Sequence, residues 1–224
     1  MIPWVTLDVA TAPDGGALTL LQRGDEFVIR VRGHALMGSR AHASEDALGA
    51  QGCADAARLP APRALIGGLG MGFTLRAALD ALPPAARVDV VELVPAVARW
   101  NRGPLAHLAS RPLDDPRVTL VEGDVADVIA GARDVYDAVL LDVDNGPSAI
   151  ATEGNARLYD PAGLARAARA LRGGGTLAVW SAGEHPGFAK RLQERGFAVR
   201  TERARARGGG GGWHVLWVAR TVSR

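Results

Sequence analysis

Four places in this chain put reactive side chains or bare backbone directly after an apolar run. The first is Gly67-Gly68-Leu69-Gly70-Met71-Gly72-Phe73-Thr74, behind Ala64-Leu65-Ile66. Glycines let a backbone turn sharply and approach a ligand closely, and a helix start behind them favours negative charge. The spacing is not that of a dinucleotide loop. Counting G-x-G-x-x-G from Gly68 puts Phe73 at the third glycine, and counting from Gly70 puts Leu75 there. A Walker A loop is excluded too, because no Lys-Ser or Lys-Thr follows the glycines.

Three acidic positions complete the set. Glu92 ends the next apolar run, 20 residues after Gly72. A carboxylate there can accept both hydroxyls of an adenosine ribose. Asp124, in Gly123-Asp124-Val125, can accept from an adenine amino group while the backbone N–H of Val125 reaches a ring nitrogen. Asp124 would also cap a helix starting at Val125, and the two roles can coexist. Asp142 and Asp144 follow Tyr136-Asp137-Ala138-Val139-Leu140-Leu141. Paired carboxylates at the mouth of a buried strand are costly unless a cation or hydrogen-bond donor meets them. Turn chemistry explains Asn145-Gly146-Pro147 but leaves Asp142 unexplained, which points to a catalytic or amine-binding role.

The elements that must position these residues alternate strand and helix from Arg63 onward. Strands are expected at 64–66, 88–92, 118–121, 136–142 and 176–180. Helices are expected at 74–82, 95–101, 125–130, 161–171 and 188–195, with Gly173-Gly174-Gly175 ending the fourth. Residues 197–204 and 213–219 read as a closing antiparallel pair around a mobile loop at Gly208 to Gly212. Upstream, Leu18-Thr19-Leu20-Leu21 and Phe27-Val28-Ile29-Arg30-Val31 flank Arg23-Gly24-Asp25 as a hairpin, and Ser44 reads as the N-cap of a helix with Glu45 and Asp46 in its first turn. The expected division is residues 1–60, a small β-hairpin and helix, and residues 61–224, one α/β domain with a doubly wound, Rossmann-like parallel sheet. Ligands of such sheets sit beyond the carboxyl ends of the strands, where the glycine loop and the acids fall.

Composition narrows the function classes. The chain has 224 residues, 48% of them hydrophobic and 22% charged, an ordinary globular balance. Lys plus Arg is 26 against 24 for Asp plus Glu, and Lys190 is the single lysine. An arginine-rich, alanine-rich chain of this kind reflects coding bias more than a nucleic-acid footprint, so no nucleic-acid partner is expected. The one basic cluster, Arg200, Arg203, Arg205 and Arg207, reads as a solvated hairpin tip, with an anionic partner as the alternative. Cys53 stands alone, which excludes a disulfide framework and a thiolate zinc cluster, and the five histidines show no metal-ligand spacing. His214, beside Trp213, reads as packing or surface. No leader pattern and no run of about 18 apolar residues occurs, so a cytoplasmic protein without membrane contact is expected.

The arrangement of βα units with a terminal hairpin resembles the class I S-adenosylmethionine-dependent methyltransferase fold. Within it, the four sites in order resemble the spermidine synthase family, the polyamine aminopropyltransferases. The resemblance runs from about Leu65 to Ser181. It rests on Leu65-Ile66-Gly67-Gly68 with Thr74-Leu75-Arg76, Val91-Glu92-Leu93-Val94-Pro95, Asp115-Pro116-Arg117-Val118 to Gly123-Asp124, and Tyr136 to Asp142. Leu158-Tyr159 and Leu171-Arg172-Gly173-Gly174-Gly175 also match in place. It implies an adenosyl site formed by Gly67, Gly68, Gly70, Gly72, Glu92, Asp124 and Val125, and a catalytic pair Asp142 and Asp144. It further implies aminopropyl transfer from decarboxylated S-adenosylmethionine to a small amine, without a metal. Departures are specific. The loop reads Leu69-Gly70-Met71-Gly72 where the family carries an aspartate for the aminopropyl amine. The family's tyrosines near the amine site have no counterpart, and its His-Glu pair before the main domain corresponds at best to Ser44-Glu45. These keep open a small-molecule methyltransferase using S-adenosylmethionine, or a nucleoside-binding protein without turnover. An edge-exposed N-terminal hairpin is compatible with a homodimer.

Overall fold

A computed structural model describes residues 2–12, 15–143, 155–207 and 210–222. Strands β1 (Val5–Thr11), β2 (Ala17–Arg23), β3 (Glu26–Val31) and β4 (His34–Gly38) come first, then helix α1 (Ala43–Gly52). Alternation follows: β5 (Arg63–Gly67), α2 (Phe73–Ala81), β6 (Arg87–Glu92), α3 (Pro95–Arg102), β7 (Val118–Glu122), α4 (Val125–Gly131) and β8 (Tyr136–Leu141). The chain continues through α5 (Ala156–Tyr159), α6 (Pro161–Ala170), β9 (Leu171–Ser181), α7 (Phe188–Glu194), β10 (Phe197–Arg207) and β11 (Gly210–Thr221).

Among the described residues the large sheet has the order β10-β11-β9-β8-β5-β6-β7, parallel from β9 to β7, with β10 and β11 antiparallel at one edge. Strand order reverses between β5 and β8, which makes that boundary the switch point where a cleft opens. Side-chain alternation explains the two layers of helices. Ala64, Ile66, Val88, Val90, Ala138 and Leu140 face a core with α1, α2 and α3. Leu65, Val91, Val139 and Leu141 face the other with α4, α6 and α7. Covered on both faces, β8 is buried throughout and apolar but for Asp137, which pairs with Arg172 at 2.6 Å.

Four features differ from the sequence reading. The N-terminal hairpin is the centre of a four-stranded antiparallel sheet, β1-β2-β3-β4. Leu18, Leu20, Phe27 and Ile29 join the same core as α2 and α3, and Trp100 Nε1 on α3 donates to Asp8 on β1 at 2.7 Å. Short strands with exposed valines carried too little alternation to mark β1. Ser44 does not cap α1; His42 holds that position, and Ser44 is wholly buried inside the first turn. Helix α1 lies close on the larger sheet because it carries glycines at the contact. A Cβ at Gly52 would stand 2.8 Å from Leu140 Cγ on β8, and one at Gly49 would stand 2.6 Å from the carbonyl oxygen of Thr74 on α2. Gly173 to Gly175 do not end α6, which stops at Ala170; they bulge within β9 between the pairs Tyr136↔Leu171 and Ala138↔Thr176.

The last difference concerns the five glycines. Gly210 to Gly212 belong to β11, with Gly210 opposite Arg207, while Gly208 and Gly209 lie outside the described residues. Neighbouring arginines are engaged: Arg200 pairs with Glu202 at 2.5 Å, Arg205 lies 4.0 Å over the Trp213 ring, and Arg203 pairs with Glu184 in the segment between β9 and α7. No helix among the described residues is long and apolar enough to cross a membrane.

Candidate functional site

A cavity of about 350 Å³ opens beyond the carboxyl ends of β5, β6 and β8. One wall is the first sheet, through Leu18, Ile29, Leu36 and Met37, and the others carry Gly68, Gly70, Glu92, Asp124, Val125 and Asp142. The backbone ladder continues one step past the strands and sets these residues side by side. Gly68 N–H donates to Val91 at 2.9 Å, Gly123 N–H to Glu92 at 2.9 Å, and Asp142 N–H to Gly67 at 2.8 Å. Gly68 must be glycine: its φ is +87°, and a Cβ would stand 2.2 Å from the carbonyl oxygen of Asp142. The carbonyl of Gly70 accepts from Asn101 Nδ2 at 2.8 Å, which fixes the loop against α3. Gly67 packs against Val125 and Gly72 begins α2, and neither lines the cavity.

Glu92 and Asp124 arrive already held. Glu92 is buried, accepting from Leu69 N–H at 2.9 Å and Val94 N–H at 2.8 Å. Asp124 caps α4 by accepting from Ala126 N–H at 2.7 Å, and its other oxygen pairs with Arg157 at 2.5 Å. Each carboxylate oxygen has two lone pairs, so these contacts orient the groups and leave acceptor capacity toward the cavity.

Asp142 differs. Thr74, in the first turn of α2, donates to its Oδ2 at 2.5 Å, and burial nevertheless raises the carboxyl to about 6. The sequence reading made Asp144 the like charge beside it, but Asp144 lies outside the described residues. The charge that couples to Asp142 comes from Glu45 on α1. Burial raises Glu45 to about 7, the negative charge of Asp142 adds to this, and the Ser44 hydroxyl works against it. Glu45, Trp180 and His214 line the cavity as well. The sequence offered Glu45 only as a first-turn acid and as the partner of a family Glu; His214 read as packing. Helix α1, set down by its glycines, is what aims Glu45 inward.

Among the described residues the cavity is lined by four carboxylates, Glu45, Glu92, Asp124 and Asp142, and by no arginine or lysine. Such a space suits a ligand with an apolar body, hydroxyl and amino donors, and positive charge.

The large sheet with its four-stranded neighbour superposes on the spermidine synthase from Thermotoga maritima with a TM-score of 0.74, covering 98% of this chain and 73% of that one at 16% identity. The fold is that of the spermidine synthases. Sequence similarity reaches the same circle of proteins. The chain is 36% identical over 121 residues to putrescine N-methyltransferase 2 of Nicotiana tabacum, a match covering 53% of this chain and 32% of the relative. It is 39% identical over 92 residues to polyamine aminopropyltransferase 1 of Streptomyces coelicolor, covering 40% of this chain and 17% of that one. The matched segments thus span a third or less of these curated relatives. No family model matches the chain.

Proposed function

We propose that this protein is a spermidine-synthase-like transferase that moves an aminopropyl group from decarboxylated S-adenosylmethionine to a small amine. The carrying observation is the cavity lined by four carboxylates and by no arginine or lysine among the described residues. An adenosyl sulfonium fits its donors and charge: Glu92 faces the ribose hydroxyls, Asp124 and Val125 the adenine edge, and Gly68 and Gly70 give close backbone approach. The chain's relatives include an aminopropyltransferase and a methyltransferase whose name contains putrescine, which supports an amine acceptor.

When bound, the donor supplies an electrophilic carbon whose bond to sulfur breaks as the amine nitrogen bonds to it. The chain's task is then orientation, water exclusion and proton removal. An amine is protonated at neutral pH and must lose a proton before it attacks. Asp142, raised by burial, is suited to receive that proton, and Thr74 keeps its carboxylate facing the cavity. Asp144 is assigned to the acceptor side by sequence alone.

Methyl transfer from S-adenosylmethionine is the second reading. It is favoured by Leu69-Gly70-Met71-Gly72, where a carboxylate for the aminopropyl amine is missing, and by the match to putrescine N-methyltransferase 2. Calorimetry against S-adenosylmethionine, its decarboxylated form, methylthioadenosine and NAD tests the site. Binding of methylthioadenosine and the decarboxylated donor is expected; tight NAD binding without either would overturn the proposal. Preference for S-adenosylmethionine would select the second reading.

A further inference from the structure

One group of side chains at the cavity has no part in the scheme above. Ser44 on α1 is wholly buried, and three polar neighbours converge on its hydroxyl. Trp180 Nε1 on β9 donates to it at 3.0 Å, His214 Nδ1 on β11 lies 2.7 Å away, and the Glu45 carboxylate is hydrogen-bonded to it. The Trp180 and His214 rings meet edge to face at 4.6 Å, so the imidazole is held in place.

A hydroxyl has one proton and two lone pairs. Trp180 can only donate, so it takes one lone pair. One proton and one lone pair remain for Glu45 and His214, and one of these must donate while the other accepts. With Glu45 protonated, Glu45 donates to Ser44 and Ser44 donates to Nδ1. With Glu45 ionised, Nδ1–H donates to Ser44 and Ser44 donates to the carboxylate. The two arrangements differ by one proton shifted along the chain, and Trp180 fixes the oxygen through which it passes.

We propose that Ser44 and His214 form a proton relay that takes the acceptor amine's proton from Glu45 out of the cavity. This rests on the amine-acceptor reading above. The ammonium gives its proton to Asp142, which passes it to the neighbouring Glu45 carboxylate; the Glu45 O–H then passes its proton to Ser44 Oγ as the Ser44 proton moves to His214 Nδ1. The carboxylate is regenerated, the imidazole becomes imidazolium, and its Nε2–H proton leaves to water. Glu45 faces Asp142 at the end of β8 and shares α1 with Asp46, and both negative charges favour holding a proton on Glu45. Across β10, Ala204 stands opposite His214, Arg203 is paired with Glu184, and Arg205 lies over Trp213. Burial disfavours a lasting imidazolium at His214, so the proton does not stay there.

The test measures kcat against pH for wild type, Ser44→Ala and His214→Ala with decarboxylated S-adenosylmethionine and putrescine, alongside thermal unfolding and methylthioadenosine affinity. Both variants are expected to lose ~10–100-fold in kcat, with methylthioadenosine affinity unchanged. His214→Ala should regain several-fold on addition of imidazole, which a packing role would not produce. Full activity in His214→Ala, or a loss that imidazole leaves untouched, overturns the relay. If wild type forms no product, the amine-transfer reading fails, and the relay is judged on the protein alone by nitrogen NMR of His214. Glu45→Gln should then move the His214 titration by about half a pH unit or more, and an unmoved titration overturns it.

Discussion

The two ends of the cavity handle negative charge in opposite ways. At the end proposed to hold the donor, Glu92 is held by two backbone N–H groups and Asp124 by a helix start and Arg157. At the end proposed to hold the acceptor, Asp142 and Glu45 meet the hydroxyls of Thr74 and Ser44. Backbone donors hold a carboxylate in one orientation, which suits recognition of neutral hydroxyl and amino donors. Burial raises both Asp142 and Glu45, and the charge of Asp142 adds to the rise at Glu45, which suits groups that exchange protons or await a cation.

Breaking the acceptor end should have the largest effect. Asp142→Asn keeps the shape and can still accept from Thr74, but cannot receive a proton. Steady-state rates should fall ~100-fold or more, with methylthioadenosine affinity nearly unchanged. A stable Asn variant with full rate would remove Asp142 from the chemistry.

The donor end should break differently. Glu92→Ala removes the acceptor for Leu69 and Val94 N–H along with any ribose contact, so affinity for methylthioadenosine should fall by ~1–3 kcal/mol. The melting temperature should fall as well, because two backbone donors lose their partner. Unchanged affinity in calorimetry would place the ribose elsewhere.

The same contrast predicts a pH dependence of stability. Asp142 and Glu45 have ordinary carboxylate values when unfolded and raised ones when folded, about 6 and about 7. Between roughly pH 4 and pH 7 the folded protein therefore binds more protons than the unfolded chain, and stability falls as pH rises through that window. The loss should be on the order of 5 kcal/mol in denaturant titrations of the ligand-free protein, and about half that in Glu45→Gln. A stability that rises over this range would contradict the raised values. A bound cation should flatten the slope by favouring the ionised forms.

Arg157→Ala should have the smallest effect. It removes a partly exposed pair from Asp124 but leaves the cap to Ala126, so stability should change by at most ~1 kcal/mol. A loss of adenosyl affinity above tenfold would mean that Arg157 itself contacts the ligand.

Legibility in the sequence followed the same division. The donor end was readable because each residue there follows a buried apolar strand, and β5, β6, β7 and β8 lie within two residues of where periodicity placed them. A parallel sheet then fixes what stands beyond their carboxyl ends. The acceptor end was readable only at Asp142. Glu45, Ser44, Trp180 and His214 come from α1, β9 and β11, and their meeting depends on where α1 docks. That docking is set by glycines within a helix, at positions where local propensity points away from a helix. The wall formed by Leu36 and Met37 was equally hidden, since its strands are short and half exposed.

The central claim is that the acid-lined cavity brings an adenosyl sulfonium and an amine together for alkyl transfer. Mass spectrometry of the protein incubated with decarboxylated S-adenosylmethionine and putrescine tests it most directly. The account predicts methylthioadenosine and an aminopropylated putrescine in equal amounts, and loss of both in Asp142→Asn. Wild-type protein that binds the donor in calorimetry yet forms neither product, and transfers no methyl group from S-adenosylmethionine to putrescine, would contradict it.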